Sequence, residues 1–287
     1  MFRKGSRNAH QRLRKTMQDL VIGLLQLDQA WQNPTENRNR IKSALTKQSG
    51  ADLILIPEMA FTGFSMNAEE HAEEWDNSES ILWLNEQSLH YNTAFYTSLL
   101  IKSGGEFYNR GVFVSEGRVI AHYDKQHLFA LAGEDAVFES GNSQTIVSFK
   151  GWNINLQICF DLRFPEGSRN HVIAGNPRYD LLLYVANWPS RRIAHWDSLL
   201  VARAIENQCY VAAVNRVGID GNQIAYEGHS CLIAADGRYI EPPILSHATL
   251  ILQPISHTLL RDFRKSLPFL KERNRSTNFL PYFYLSK

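Results

Sequence analysis

Cysteine is scarce in this chain: three residues in 287, widely spaced, with no C-x-x-C pair. An odd and dispersed set argues against a disulfide framework and against a structural zinc site, and it suits a reducing compartment, so a cytoplasmic location is expected. Long apolar runs are missing as well, and no uninterrupted segment approaches the roughly 18 residues that a membrane-crossing helix needs. Neither G-x-G-x-x-G nor a G-K-[ST] ending occurs, so no nucleotide cofactor is indicated; nothing points to a metal either. An excess of one charge is also lacking. Thirty Lys and Arg balance 29 Asp and Glu, which speaks against nucleic acid or an anionic membrane as partner and in favour of a small-molecule substrate. There is no internal repeat and no low-complexity tract.

What the chain does have is three apolar runs that end in reactive groups. Asn155-Leu156-Gln157-Ile158 runs into Cys159, followed by Phe160-Asp161-Leu162-Arg163-Phe164-Pro165-Glu166. Ala51-Asp52-Leu53-Ile54-Leu55-Ile56-Pro57 delivers Glu58, and Tyr123-Asp124 delivers Lys125 before Gln126-His127-Leu128-Phe129. Read as strands, the three runs finish in an acid, an amine and a thiol, the set that amide hydrolysis through a thioester requires. A free thiol has a pKa of about 8.5 and is mostly protonated at neutral pH, so it needs a base beside it. Glu58 is the candidate base. Lys125 and the backbone N–H of Phe160, just after the nucleophile, are candidates to stabilise the oxyanion of a tetrahedral intermediate. Cys209 and Cys231 lie in apolar strand-like contexts that burial alone explains.

These three contexts, in this order, resemble the nitrilase superfamily of carbon–nitrogen hydrolases, with its Glu-Lys-Cys triad; the likeness runs from about Leu20 to Ile255. Asp124-Lys125-Gln126-His127-Leu128-Phe129, the Cys159 motif and Tyr184-Val185-Ala186-Asn187-Trp188-Pro189 resemble the omega-amidase branch, as do His195-Trp196 and Ala202-Arg203-Ala204-Ile205-Glu206-Asn207-Gln208. The family often carries a second glutamate between lysine and cysteine. Glu134 and Glu139 compete for that place, and the family's spacing back from the nucleophile favours Glu134. The resemblance further implies a four-layer αββα sandwich, with two mixed sheets packed face to face and helices outside, that dimerises through helices. Candidate homodimer contacts are the helix at residues 195–207 and the aromatic tail Phe279-Leu280-Pro281-Tyr282-Phe283-Tyr284.

The pattern along the chain fits an α/β fold in a single domain. Residues 1–16 hold six basic residues and no acid and read as a solvated, disordered extension; residues 17–287 form the hydrolase domain with its tail. Strand-like runs fall at residues 20–27, 52–56, 94–101, 111–114, 154–159, 181–185, 210–214, 230–234 and 249–252, and helical spacing at 38–48, 81–90, 167–174 and 194–207. Glycine-containing pairs mark hairpins at 104–105, 116–117 and 236–237.

The omega-amidase likeness implies hydrolysis of the terminal amide of a small 2-oxo dicarboxylic acid monoamide, 2-oxoglutaramate or 2-oxosuccinamate. Such a substrate needs cations for its distant carboxylate. Arg163, Arg191 and Arg192 are available, although Arg163 is equally suited to hold Asp161 and the Arg191-Arg192 pair to face water. Tyr184, Asn187 and Trp188 are candidate pocket residues. His127 lies two residues beyond Lys125 and could approach the site, but a papain-like pairing with Cys159 would leave Glu58 and Lys125 without a task. Alternatives are another hydrolase of the superfamily, acting on a carbamoyl group, a nitrile or a deaminated peptide amide, and a non-catalytic dimeric scaffold. The scaffold reading gives no reason to bury an acid, an ammonium and a thiol.

Overall fold

The computed structural model describes residues 19–46 and 50–273. The basic start and the aromatic tail at 279–284 lie outside the described residues. Strands of the first sheet are β1 (Leu20–Gln26), β2 (Leu53–Leu55), β3 (Ala94–Ser103), β4 (Glu106–Ser115) and β5 (Arg118–Asp124). The second holds β6 (Ile146–Phe149), β7 (Trp152–Ile158), β8 (Leu181–Ala186), β9 (Tyr210–Asn215), β10 (Val217–Ile219), β11 (Ala225–Ile233) and β12 (Tyr239–Leu245). A last strand, β13 (Thr249–Ile255), returns to the first sheet beside β1. The orders are β13-β1-β2-β3-β4-β5, with the short strand Glu73–Glu74 on β3, and β10-β11-β9-β8-β7-β6, with β12 on β11. β1, β2 and β3 are mutually parallel, as are β7, β8 and β9; Glu73–Glu74 also runs parallel to β3, and the remaining pairings are antiparallel.

The layering follows from the two-residue alternation of strands. Leu53, Leu55, Tyr96 and Phe113 of the first sheet share one core with Leu156, Leu183 and Ala212 of the second. Ile54, Phe95, Val112 and Val114 point the other way, onto Ile41 and Leu45 of α1 (Pro34–Leu45) and Ile81 and Leu84 of α2 (Glu79–Tyr91). Trp196, Leu200 and Ala204 of α3 (Ile193–Asn207) and Leu260 of α4 (His257–Ser266) cover the second sheet. The result is the four-layer α/β sandwich expected from the resemblance.

Departures from the expected elements have local causes. Residues 167–174 are not a helix. They form a 3-10 turn at Pro165–Ser168 and a small hairpin of Val172–Ile173 with Asn176–Pro177. The buried Asn170 side chain donates to the carbonyls of Tyr179 and Asn207 and accepts from the Arg178 N–H, so a side chain takes over bonds that a helix would make along its backbone. Helix α1 starts four residues before the expected position, at Pro34, where Asn33 caps the Glu36 N–H, and it ends at Leu45. Strand β12 carries two adjacent prolines and pairs with β11 through irregular register shifts, which explains why its pattern is weak in the sequence.

Candidate active site

The reactive residues sit where strands of both sheets run out. Cys159 follows β7 directly, Lys125 follows β5, Asn187 follows β8, and Glu58 lies three residues past β2. Register at the Lys125 edge is held on the outer face, where Arg110 of β4 forms a two-point ion pair with Asp124 of β5 (2.6 and 2.9 Å) between the rings of Trp75 and Tyr108. The neighbouring pair, Asn109 and Lys125, is thereby placed side by side, with the Lys125 N–H donating to the Asn109 carbonyl at 3.1 Å. Gly141 closes this corner: its N–H bonds the Lys125 carbonyl, and a Cβ there would lie 2.1 Å from the Asp124 carbonyl oxygen.

Glu58, Lys125 and Glu134 are fully buried and in contact. Lys125 Nζ donates to Glu58 Oε1 at 2.8 Å and to Glu134 Oε2 and Oε1 at 2.8 and 2.9 Å. Glu134 also accepts the Phe129 N–H at 2.7 Å, while Glu58 Oε2 accepts the Asn187 N–H at 2.9 Å. Glu58 is fixed from behind too: its own carbonyl takes the Asn187 side-chain amide (2.7 Å) and Gln29 Nε2 (2.9 Å), and Gln29 reaches Met59 as well. Met59 holds φ +48°, a left-handed conformation that costs energy outside glycine, so the turn carrying Glu58 is over-determined by its partners.

Cys159 has φ +44° and sits at the head of a 3-10 turn, Cys159–Arg163. Asp161 organises that turn from inside, accepting Ile158 N–H and the Tyr123 hydroxyl on one oxygen and the His127 N–H and ring on the other. The thiol is 3.9 Å from the Asn187 carbonyl and keeps 8 % of its surface, which opens on a cavity of about 480 Å³. Lys125, Asn187, Trp188, Phe160 and Phe129 line that cavity together with Arg163, Arg191 and Arg192.

Charge is distributed unevenly here. Burial, reinforced by the Glu58 carboxylate, pushes the Cys159 thiol well above its ordinary range, so at rest the sulfur is protonated beside a carboxylate. Burial alone would lower Lys125, but Glu134 and Glu58 outweigh it and hold the ammonium charged. Glu134 is itself pushed up, by burial first and by Glu58, against the pull of Lys125. Two fully buried carboxylates thus share one cation.

A model of the carbon-nitrogen hydrolase family matches residues 21–265. The chain belongs to this family. It is 38% identical to an omega-amidase, YafV, of Escherichia coli over 88% of this chain and 96% of that one, and 34% identical to a 2-oxoglutaramate amidase of Bacillus subtilis over 77% and 85%. A CN-hydrolase superfamily protein of Xanthomonas campestris, solved with an arsenic adduct in its active site, superposes with a TM-score of 0.87 at 36% identity, covering 93% of this chain and all of that one. The chain is accordingly an amide-hydrolysing enzyme of the nitrilase superfamily.

Of the residues singled out in this hydrolase's sequence, Glu58, Lys125, Glu134, Cys159 and Asn187 converge on one point, and Glu139 is exposed away from it. Phe160, Trp188, Arg163 and Arg191 line the cavity. Arg163 does not hold Asp161; its guanidinium lies 4.7 Å over the Trp188 ring and donates to His195 Nδ1 at 3.2 Å. Tyr184 is misplaced by the sequence reading: it is fully buried inside β8 and does not line the cavity. His127 turns to Asp161 and stacks on Phe164, so it is spent on the turn. The residues missed are Asn109 and Gln29. Their only signal is a polar residue in or just after an apolar strand, which is common and ambiguous.

Proposed function

We propose that this hydrolase is an omega-amidase that converts a 2-oxo dicarboxylic acid monoamide, such as 2-oxoglutaramate or 2-oxosuccinamate, into the dicarboxylate and ammonia through a Cys159 thioester. The observation that carries the substrate class is the trio Arg163, Arg191 and Arg192 on the wall of the cavity into which the thiol opens. Among the described residues none of the three forms an ion pair within 4 Å, and Asp220, which shares the lining, is bonded instead to the Tyr226 hydroxyl and the Asn222 and Ile224 N–H groups. Repulsion shows in Arg192, which burial and then its two neighbours push below the ordinary arginine value. A cavity whose lining holds three guanidiniums against one carboxylate, that of Asp220, suits a substrate with a carboxylate at the end remote from its amide. The relatives named as omega-amidase and 2-oxoglutaramate amidase point the same way.

Glu58 takes the thiol proton as sulfur attacks the amide carbon, and the new oxyanion is stabilised by Lys125 and the Phe160 N–H. The C–N bond breaks as Glu58 returns the proton to nitrogen, releasing ammonia and leaving the thioester. Water then attacks that carbon, losing its proton to Glu58. The C–S bond breaks, the thiol is restored and the carboxylate leaves. Glu134 touches Lys125 throughout and keeps the ammonium aimed.

The test is ammonia release from 2-oxoglutaramate, from a carbamoyl amino acid and from a nitrile, with wild type and Cys159→Ala. Release from the 2-oxo amide by wild type alone is expected. Release only from the carbamoyl compound would end the omega-amidase assignment while sparing the family, and activity in the variant would end the thioester.

A further inference from the structure

Behind the two glutamates sits a residue that neither the triad nor its second glutamate includes. Asn109, in the middle of β4 and fully buried, donates from Nδ2 to Glu58 Oε1 at 2.8 Å and to Glu134 Oε1 at 2.9 Å. Its carbonyl oxygen, Oδ1, is buried with no hydrogen-bond partner. Buried polar atoms are normally satisfied, so an orphan marks a place where another demand prevails. The demand is visible in the alternative: turning the amide over would aim the oxygen at two carboxylates. The orientation is therefore dictated by the acids.

The consequence falls on Glu58. Its Oε1 receives both Lys125 and Asn109, whereas Oε2 receives only the Asn187 N–H. A carboxylate oxygen has two lone-pair sites, so Oε1 is filled and the remaining one is on Oε2. Resting on the reading of Glu58 as the base, we propose that Asn109 is a positioning residue that saturates Oε1 of both glutamates and so confines the proton taken from Cys159 to Oε2 of Glu58. The transferred proton moves from sulfur to Oε2 and back to nitrogen without visiting the Lys125 side. Lys125 keeps its hydrogen bond and its charge through both halves of the reaction.

The experiment follows Cys159 alkylation by iodoacetamide against pH, with mass spectrometry assigning the modified peptide, alongside ammonia release by the same preparations. Wild type, Asn109→Leu, Asn109→Asp and Glu58→Gln are compared, with circular dichroism to establish folding. A donor to an ionised carboxylate is worth enough to move its titration by about one unit. In Asn109→Leu the acid limb of the alkylation profile is expected to move up by about one pH unit, and turnover to fall about tenfold or more. The isosteric Asn109→Asp, which brings a third acid, moves the limb further in the same direction. A residue that merely packs would lower thermal stability and leave the limb in place. An unshifted limb in both Asn109 variants, with Glu58→Gln inactive, overturns the role of Asn109 alone. If Glu58→Gln keeps wild-type turnover and profile, the base assignment falls and Asn109 falls with it.

Discussion

The cluster around Lys125 and the arginine wall of the cavity hold their charge in opposite ways. In the cluster every charged group is bonded: Lys125 donates to Glu58 and Glu134, Asn109 and the Phe129 N–H add second bonds to oxygens that Lys125 already reaches, and the Asn187 N–H meets the other Glu58 oxygen. On the wall, three guanidiniums face one space, Arg163 over Trp188 and Arg192 over Phe129, and the acid that shares the lining, Asp220, is bonded to the Tyr226 hydroxyl and the Asn222 and Ile224 N–H groups and pairs with none of the three. A buried network whose charged atoms are all bonded costs desolvation but holds one geometry, as a transition-state environment must. On the proposed function, the wall is left to meet an anion from outside. The difference separates chemistry from selection, and each can be broken alone.

The largest effect is expected from Lys125→Met. It leaves two buried carboxylates facing each other without a cation, and it removes an oxyanion partner. Turnover should fall by about 10³-fold or more. Breaking a buried charge set from one side costs about 3–5 kcal/mol, so a melting curve should fall together with ammonia release. A variant that melts like wild type would mean that the glutamates take up a proton to compensate, and the cluster is then less rigid than its bonds suggest.

This cluster was readable in the sequence, and the wall only in part, for a physical reason. Glu58, Lys125 and Cys159 stand out because a charged or reactive group directly after an apolar strand is costly and calls for explanation. Asn109 does not stand out. An amide inside a strand is ordinary, and only coordinates show which groups its two hydrogens meet. The α/β class was legible from the pattern along the chain, and the αββα layering from the resemblance. The false helix at 167–174 shows the limit: its apolar spacing was acceptable, but the competing partner was the side chain of Asn170, whose bonds to residues 179 and 207 no local window contains.

A smaller and more selective effect is expected on the wall. On the proposed function, Arg163→Met and Arg192→Met each remove a charge-assisted contact to the substrate carboxylate, worth roughly 1.5–3 kcal/mol, or about 10–100-fold. The loss should appear in KM for 2-oxoglutaramate and be nearly absent for a neutral amide of similar length. Equal losses on both amides would show that these arginines hold the cavity walls in place. His195 and Trp188, which support Arg163, would then be the residues affected through it.

The smallest effect is expected at Tyr184, where a null result is the informative one. Its place in β8 is opposite Gln157 of β7 and Ala213 of β9, inside a sheet covered on both faces, and none of its surface is exposed. Strands buried on both sides show no polar alternation, so the sequence could not tell a tyrosine lining the cavity from one filling the core. Asn187 and Trp188 reach the site because they lie past the strand's end, where the chain leaves the sheet. Tyr184 lies three residues before that point. Burial raises its phenol far above the ordinary value, so it stays neutral across the range in which the fold survives and cannot trade protons. Tyr184→Phe should therefore change kcat/KM by less than about twofold and stability by no more than about 1 kcal/mol, with the pH profile unmoved. A tenfold loss of kcat/KM at unchanged melting temperature would extend the working site into the sheet core and erase the boundary between scaffold and cavity.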